Sequence, residues 1–338
     1  MNVLIFDVDC KSSGITYPIR DALNKMGHNA VMFDWKLYFN SKYYPQIINS
    51  LKNKVFLKAI EFKLNNDLKN IVNNNKFDLL LVMRGDHIFP ETLKFIKTRI
   101  GKIVNWNTDD LFNDLNSSNL IKNSIEFYDI HFSPRKSLKN EYLNKGAKAF
   151  ENLDWYYRYG LDYKDVLDFE FSYSHESTFI GSWSERRQLF ISELKNEKVN
   201  VYGWGWNKKV NISEYINWNL SPSITIKQMH DEFYRSKINI NLLTVENRDS
   251  SNLRNFEIPS SGGFQLSERS DEILDLFKED KEIVCFSSSD ELKDEYLYYL
   301  KNDSLREKIA IAGHKAVFNS NNSLVDRLSQ IIYKVQSI

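Results

Sequence analysis

The run Asn2-Val3-Leu4-Ile5-Phe6-Asp7, the turn Ser12-Ser13-Gly14, the stretch 17–26 and the run His28-Asn29-Ala30-Val31-Met32-Phe33 decide the fold. Four consecutive apolar residues ending in an aspartate are the pattern of a strand buried on both faces, as in a parallel sheet. A turn, a helix and a second strand then make a βαβ unit. The rhythm continues outward. A helix is predicted over 51–72, with Leu57, Ile60, Leu64, Leu68 and Ile71 on one face. Strands follow at 79–83, 103–106 and 130–133, with helices at 90–98 and 136–144. Residues 154–174 lose the pattern and are aromatic and polar, with Trp155, Tyr156, Tyr157, Tyr159 and Tyr163, so they read as the crossing between domains. A second α/β series starts at Thr178-Phe179-Ile180-Gly181. It runs through helices at 185–194, 226–234 and 250–260 and strands at 199–203, 238–243, 264–267 and 282–286. Capping boxes at Ser288/Glu291 and Ser304/Glu307 are expected to open the last long helices. The predicted class is α/β, with two Rossmann-like domains in series.

Composition narrows the function. The 338 residues suit two α/β domains, and the formal charge of zero argues against a nucleic-acid partner, which calls for a basic face. Cys10 and Cys285 lack any metal-ligand spacing and read as buried thiols in a reducing, cytoplasmic setting. The strand at residue 2 leaves no room for a signal peptide, and no apolar stretch approaches a membrane span. Lys52, Lys54, Lys58, Lys63 and Lys69 on the 51–72 helix admit two readings. One is a solvated face diluted by Glu61 and Asp67; the other is peripheral contact with an anionic inner membrane surface.

In open parallel sheets ligands bind beyond the carboxyl ends of the strands. In the second half those ends are Gly181-Ser182, Gly203-Trp204-Gly205, the segment 244–254 and Glu268. Asp249, Ser250 and Ser251 are N-cap types, so a helix start suited to a diphosphate is expected there. Arg254 and Glu257, three apart, share a helix face, and Gly262-Gly263 stops the helix. The plain alternative is a capped helix with a surface Arg–Glu pair. No G-x-G-x-x-G occurs, so a dinucleotide cofactor is not expected.

The run R-N-F-E-I-P-S-S-G-G-F-Q-L-S-E-R from Arg254, then L-F-K-E-D-K-E-I-V-C-F and I-A-I-A-G-H, resembles the C-terminal domain of the spore-maturation-protein (CgeB)-like glycosyltransferases. These are relatives of the retaining family 4 enzymes. Further likeness lies in F-I-G-S-W-S-E-R-R-Q-L-F (179–190), Y-G-W-G-W, W-N-T-D-D (106–110) and M-R-G (83–85). The resemblance implies a GT-B fold, two Rossmann-like domains facing a cleft. The domains would be 1–165 on the acceptor side, 166–322 binding the nucleotide sugar, and a last helix at 323–338 crossing back to the first. It also implies two acidic residues eight positions apart flanking the donor, here Asp249 near the transferred sugar and Glu257 on the ribose hydroxyls. The phosphate-binding base maps onto Arg186 or Arg187, with Gly181, Gly203, Ser250, Ser251 and Arg254 completing the donor site.

On the first domain Asp109, beside Asp110, and His87, beside Arg84 and Asp86, are the candidates facing acceptor and sugar. Capping or a metal is the alternative role for the aspartates, and plain solvation for His87; His314 reads as structural. The resulting expectation is a metal-independent, retaining glycosyltransferase with no cofactor beyond its nucleotide diphosphate sugar donor. Its acceptor is a glycan, a lipid-linked molecule or a protein, as in cell-surface polysaccharide synthesis. The rival readings are a nucleotide-sugar epimerase on the same fold and a non-catalytic sugar-binding or coat-associated module.

Overall fold

The computed structural model describes residues 1–7, 16–39, 54–157, 170–222, 224–244 and 251–338. It divides into two compact units: Met1–Asp154 with Leu324–Ile338, and the described residues from Trp155 to Ser323.

The first unit begins with β1 (Asn2–Asp7), α1 (Thr16–Lys25) and β2 (Asn29–Asp34), the βαβ unit read from the sequence. It continues through α2 (Lys54–Asn74), β3 (Leu79–Met83), α3 (Pro90–Lys97), β4 (Lys102–Trp106), α4 (Asn119–Lys122), β5 (Ile130–Ser133), α5 (Lys139–Asn144) and β6 (Phe150–Asn152). The sheet is parallel, in the order β2-β1-β3-β4-β5-β6. Val3, Leu4, Ile5 and Phe6 are fully buried, as a strand covered on both faces requires.

The stripe on α2 differs from expectation at its start. Leu64, Leu68 and Val72 enter the core, but Leu57 is exposed. At roughly 1.5 Å per residue this 21-residue helix is about twice as long as the five-residue strand it precedes. Its first turns therefore overshoot the sheet. That overshoot carries Glu61 and Asn65 to the carboxyl edge of the strands.

The second unit holds β7 (His175–Ile180), α6 (Glu185–Ser192), β8 (Val199–Tyr202), α7 (Trp206–Lys209), β9 (Trp218–Ser221), α8 (Ile226–Arg235) and β10 (Ser236–Asn241). Then come α9 (Arg254–Ser260), β11 (Gln265–Glu268), α10 (Asp271–Leu276), β12 (Val284–Phe286), α11 (Ser289–Lys301) and α12 (Asp303–Asn319). Its strands are also all parallel, ordered β12-β11-β10-β7-β8-β9. The α/β class with two Rossmann-like sheets is thus realised. The chain then leaves the second unit, and α13 (Leu324–Ser337) packs against α1 in the first. Arg327 Nε donates to Asp154 O at 2.9 Å and Lys334 pairs with Glu151 at 2.7 Å.

Two strands escaped the sequence reading, β6 and β9, which are short edge strands of mixed polarity with no apolar run to announce them. The expected cap at Ser304 is also not the helix start. Ser304 lies inside α12, which begins at Asp303 without a side-chain cap. Arg306, wholly buried, accounts for this by donating to Tyr299 O of α11 and to Asp303, so the two helices are joined through the single residue Asn302. Ser288 does cap α11, accepting from Glu291 N at 3.1 Å. An unforeseen capping box, Thr225 with Gln228, opens α8. Cys285 is buried, which pushes its thiol up to about 12; Cys10 lies outside the described residues.

Two outcomes follow from the packing. A Cβ at Gly313, inside α12, would lie 2.4 Å from the Glu282 carbonyl oxygen. In a free helix Gly→Ala gains about 1 kcal/mol. Here the overpacking should win, so Gly313→Ala should destabilise by about 1–3 kcal/mol in urea unfolding. A raised midpoint would show that the helix shifts freely. Buried His131 offers the second. Burial pushes its pKa down to about 4, although its Nε2 donates to Ile125 O at 2.9 Å. Because the folded value lies below the ordinary 6.5, only the unfolded chain takes a proton as pH falls from 6.5 towards 4. Stability from this group is therefore full above pH 6.5 and declines by up to roughly 3 kcal/mol across that window. His131→Gln should flatten that part of the stability–pH curve.

Candidate functional site

In the second unit β7 has β8 on one side and β10 on the other. Strand order reverses between β7 and β10, which makes that gap the topological switch point, where open parallel sheets bind ligands. Three arginines gather there. Arg187, on the first turn of α6, donates to Ser182 O after β7 and to Leu242 O after β10, each at 3.0 Å. Arg254, first residue of α9, donates from Nε to Ile180 O at 3.3 Å and pairs with Glu257. Arg186 stands over the Phe190 ring and grips Glu268 at the end of β11 with both terminal nitrogens. Glu268 also accepts from Leu243 N at 3.0 Å.

Glycines let the neighbouring turns close in. Gly203 has φ +152°, and a Cβ there would sit 2.0 Å from Gly181 O. Gly181 N in turn donates to Tyr202 O, and Trp206 Nε1 donates to Gly181 O at 2.8 Å. A Cβ at Gly181 would approach the Phe179 ring to 2.9 Å. The structure thus brings together Gly181, Gly203, Arg186, Arg187, Arg254 and Glu257 around the end of β7.

Two expectations are corrected. First, the helix does not begin at Ser250–Ser251: α9 has seven residues and starts at Arg254. Ser251 is no cap, because the N-cap position is Leu253; the Ser251 N–H donates to Glu272 and its carbonyl accepts from Trp155 Nε1. The helix entry is instead closed by Asn252 and Asn255, each side-chain oxygen accepting from the other's backbone N–H. Asn241 and Ser267 tie these amides to β10 and β11. Asp249 and Ser250 lie outside the described residues. Second, the Arg254–Glu257 pair is not a surface pair, since Glu257 is 0% exposed. A buried carboxylate of this kind is retained only with partners.

In the first unit the loop after β3 carries three left-handed residues, Arg84, Gly85 and His87, at φ +59°, +102° and +68°. Such backbone persists only where the surroundings over-determine it. Asn65 does so, donating to His87 O and accepting from Phe89 N. Asn105 donates to the carbonyls of Val82 and Arg84. The Arg84 guanidinium then pairs with Asp86 and Asp109, both at 2.8 Å, and donates to Asn116 O. Asp110 does not join Asp109: it is buried and accepts from Phe112 N and Asn113 N, the turn-capping role. His87 Nδ1 meets Glu61 at 2.9 Å, and its ring packs at a tilt against Trp35 and Phe39. His314 accepts a structural role, with Nδ1 at 2.9 Å from Pro259 O.

The sequence named Glu61 only as diluting the lysine face and did not single out Trp35; their meeting with His87 is decided by tertiary contact alone. Glu268 was visible only as a residue ending a strand. Among the described residues no three of His, Cys, Asp and Glu converge as a metal-holding group.

Residues 186–333 match a family described as "Glycosyl transferase-like". No curated protein matches the chain in sequence. Among solved structures it is similar to Anabaena HepE crystallised with UDP-glucose, at TM-score 0.67 and 11% identity over the whole of both chains. It is similar to the sucrose-phosphate synthase of Thermosynechococcus elongatus, at TM-score 0.68 and 9% identity, covering 99% of this chain and 98% of that one. A putative UDP-N-acetylglucosamine 2-epimerase of Listeria monocytogenes is similar at TM-score 0.56 and 13% identity, covering 100% and 98%. At these identities the structural likeness establishes the fold, which is GT-B. The family match adds the activity class: the protein is a glycosyltransferase on the GT-B fold.

Proposed function

We propose that the protein transfers a sugar from a UDP-sugar to a hydroxyl of a glycan, lipid-linked or protein acceptor, with retention and without a metal ion. The observation that carries this is the placing of Arg187 and Arg254 on the switch point between β7 and β10, with Arg186 beside it on Glu268 at the end of β11. Fixed guanidinium groups there offset the charge that builds on a departing diphosphate. The UDP-glucose bound by HepE supports uridine diphosphate as the carrier. Resemblance to the retaining family 4 enzymes supports retention.

In this reading the bond from the anomeric carbon to the β-phosphate oxygen breaks and its electron pair leaves with UDP. The acceptor oxygen forms the new bond, and its proton passes to the departing β-phosphate oxygen. Glu257, held by Arg254, receives the ribose hydroxyls, and Asp249 stands near the transferred sugar. Asp109, fixed by Arg84, and His87, fixed by Glu61, serve the acceptor and sugar. Lys58 and the exposed Phe62 on α2 are where peripheral contact with an anionic membrane would occur. Placement of the protein in the cytoplasm belongs to the same proposal.

The epimerase neighbour gives the rival reading its observation. Incubation with UDP-sugars and no acceptor separates the two. An epimerised or freed sugar at turnover rates would replace transfer as the activity.

Calorimetry with UDP tests the donor site. Hydrogen bonds to a charged group are worth about 1.5–3 kcal/mol. Glu257→Gln should therefore weaken UDP binding by roughly 10- to 150-fold. Because Glu257 is buried against Arg254, its melting temperature should fall as well, so binding is measured well below the transition. Binding as tight as wild type would remove Glu257 from the donor site. Turnover should also survive EDTA. Loss on chelation with recovery on Mn²⁺ or Mg²⁺ would mean that a metal carries the diphosphate charge.

A further inference from the structure

Arg186 and Glu268 lie 82 positions apart and meet as a two-pronged ion pair beside the switch point. The Glu268 carboxylate is the better anchored member. It is largely buried and also accepts from Leu243 N at the end of β10. Arg186 is about one-third exposed, on the first turn of α6, with the Phe190 ring as its platform 4.7 Å away. Separation of the two leaves Glu268 a backbone donor and leaves Arg186 over its aromatic face. Arginine presents the same flat edge to a carboxylate and to a phosphate.

The neighbouring arginines are held differently. Arg187 hydrogen-bonds carbonyl oxygens on both sides of the gap, and Arg254 holds a carboxylate with no exposure to solvent. Each keeps that partner while its charge offsets the diphosphate from a fixed place, and would have to abandon it to turn a whole edge to a phosphate. Arg186 is the guanidinium most easily transferred.

Resting on the donor site proposed above, we propose that Glu268 is an internal anion that competes with the diphosphate for Arg186. Donor binding exchanges Glu268 for phosphate oxygens, and after transfer Glu268 recaptures the guanidinium and speeds the departure of UDP. No bond is made or broken in this exchange and no proton moves. Glu268 is a positioning residue that sets how long the nucleotide stays.

Titration calorimetry with UDP and with inorganic pyrophosphate tests this on wild type, Glu268→Gln, Arg186→Gln and the double variant. Glu268→Gln should bind both probes about five- to twentyfold tighter, with the product-inhibition constant for UDP falling by a similar factor. In the Arg186→Gln background the same change should alter binding less than twofold. Equal gains in both backgrounds would reduce the effect to overall charge and overturn the exchange. Weaker binding by Glu268→Gln would show that the carboxylate holds Arg186 ready for phosphate, and would overturn it too. Should Glu268→Gln misfold, a crystal structure of the wild type with UDP decides. Arg186 is expected more than 4 Å from Glu268 and on a phosphate oxygen, and a retained ion pair would refute the proposal. Failure of the wild type to bind either probe would overturn the donor site itself, whereas binding with no gain from Glu268→Gln would overturn only the exchange.

Discussion

Arg187 reaches from the first turn of α6 to the carbonyl ends of β7 and β10 and closes the gap where the strand order reverses. A parallel sheet leaves carbonyl groups unpaired at each carboxyl edge, and at a switch point no crossover helix covers them. These carbonyls need donors. Arg187 meets two and Arg254 meets a third at Ile180, so the donors that satisfy them also bring positive charge to this edge. Under the proposed function, backbone satisfaction and recognition of the diphosphate share the same side chains.

The rest of the second unit is arranged to keep that edge open and rigid. Gly181 and Gly203 allow two turns to approach within a distance that any side chain would block. The amides of Asn241, Asn252 and Asn255 bind the entry of α9 to the ends of β10 and β11, so Arg254 and Glu257 start from a fixed place. The first unit solves the analogous problem by another route. There the loop after β3 adopts left-handed backbone at Arg84, Gly85 and His87, and Asn65 and Asn105 hold it by side-chain hydrogen bonds to its backbone. The length of α2 makes this work, because its overshoot is what delivers Asn65 and Glu61 to the loop.

Much of the architecture was legible because parallel strands carry their burial in a local pattern. Val3 to Phe6 and Leu79 to Val82 are uninterrupted apolar runs, and the helices between them repeat their apolar residues with a helical period. Where the pattern was weak the reading failed for the same physical reason. Strands β6 and β9 sit at sheet edges, where one flank needs no burial and polar residues are tolerated. Ser304 and Glu307 have the spacing of a capping box, yet α12 begins one residue earlier, at Asp303, where buried Arg306 ties it to the end of α11 across the single residue Asn302.

By itself the sequence determined two α/β units, their strand ends, and the residue types, glycine and arginine, found at those ends. Local periodicity and local turn chemistry are properties of neighbouring residues, so they can be read in order along the chain. Only the tertiary structure decided which partner each charged group takes. Arg186 meets Glu268 rather than remaining open, Glu257 is buried rather than on a surface, and Asp110 turns to backbone N–H groups while Asp109 turns to Arg84. Arg186 with Glu268 and Arg84 with Asp109 join segments distant in sequence, and the energies of all these pairings depend on burial and on what else competes for the same carboxylate. A string of residues does not carry that information until the crossovers have set the strands side by side.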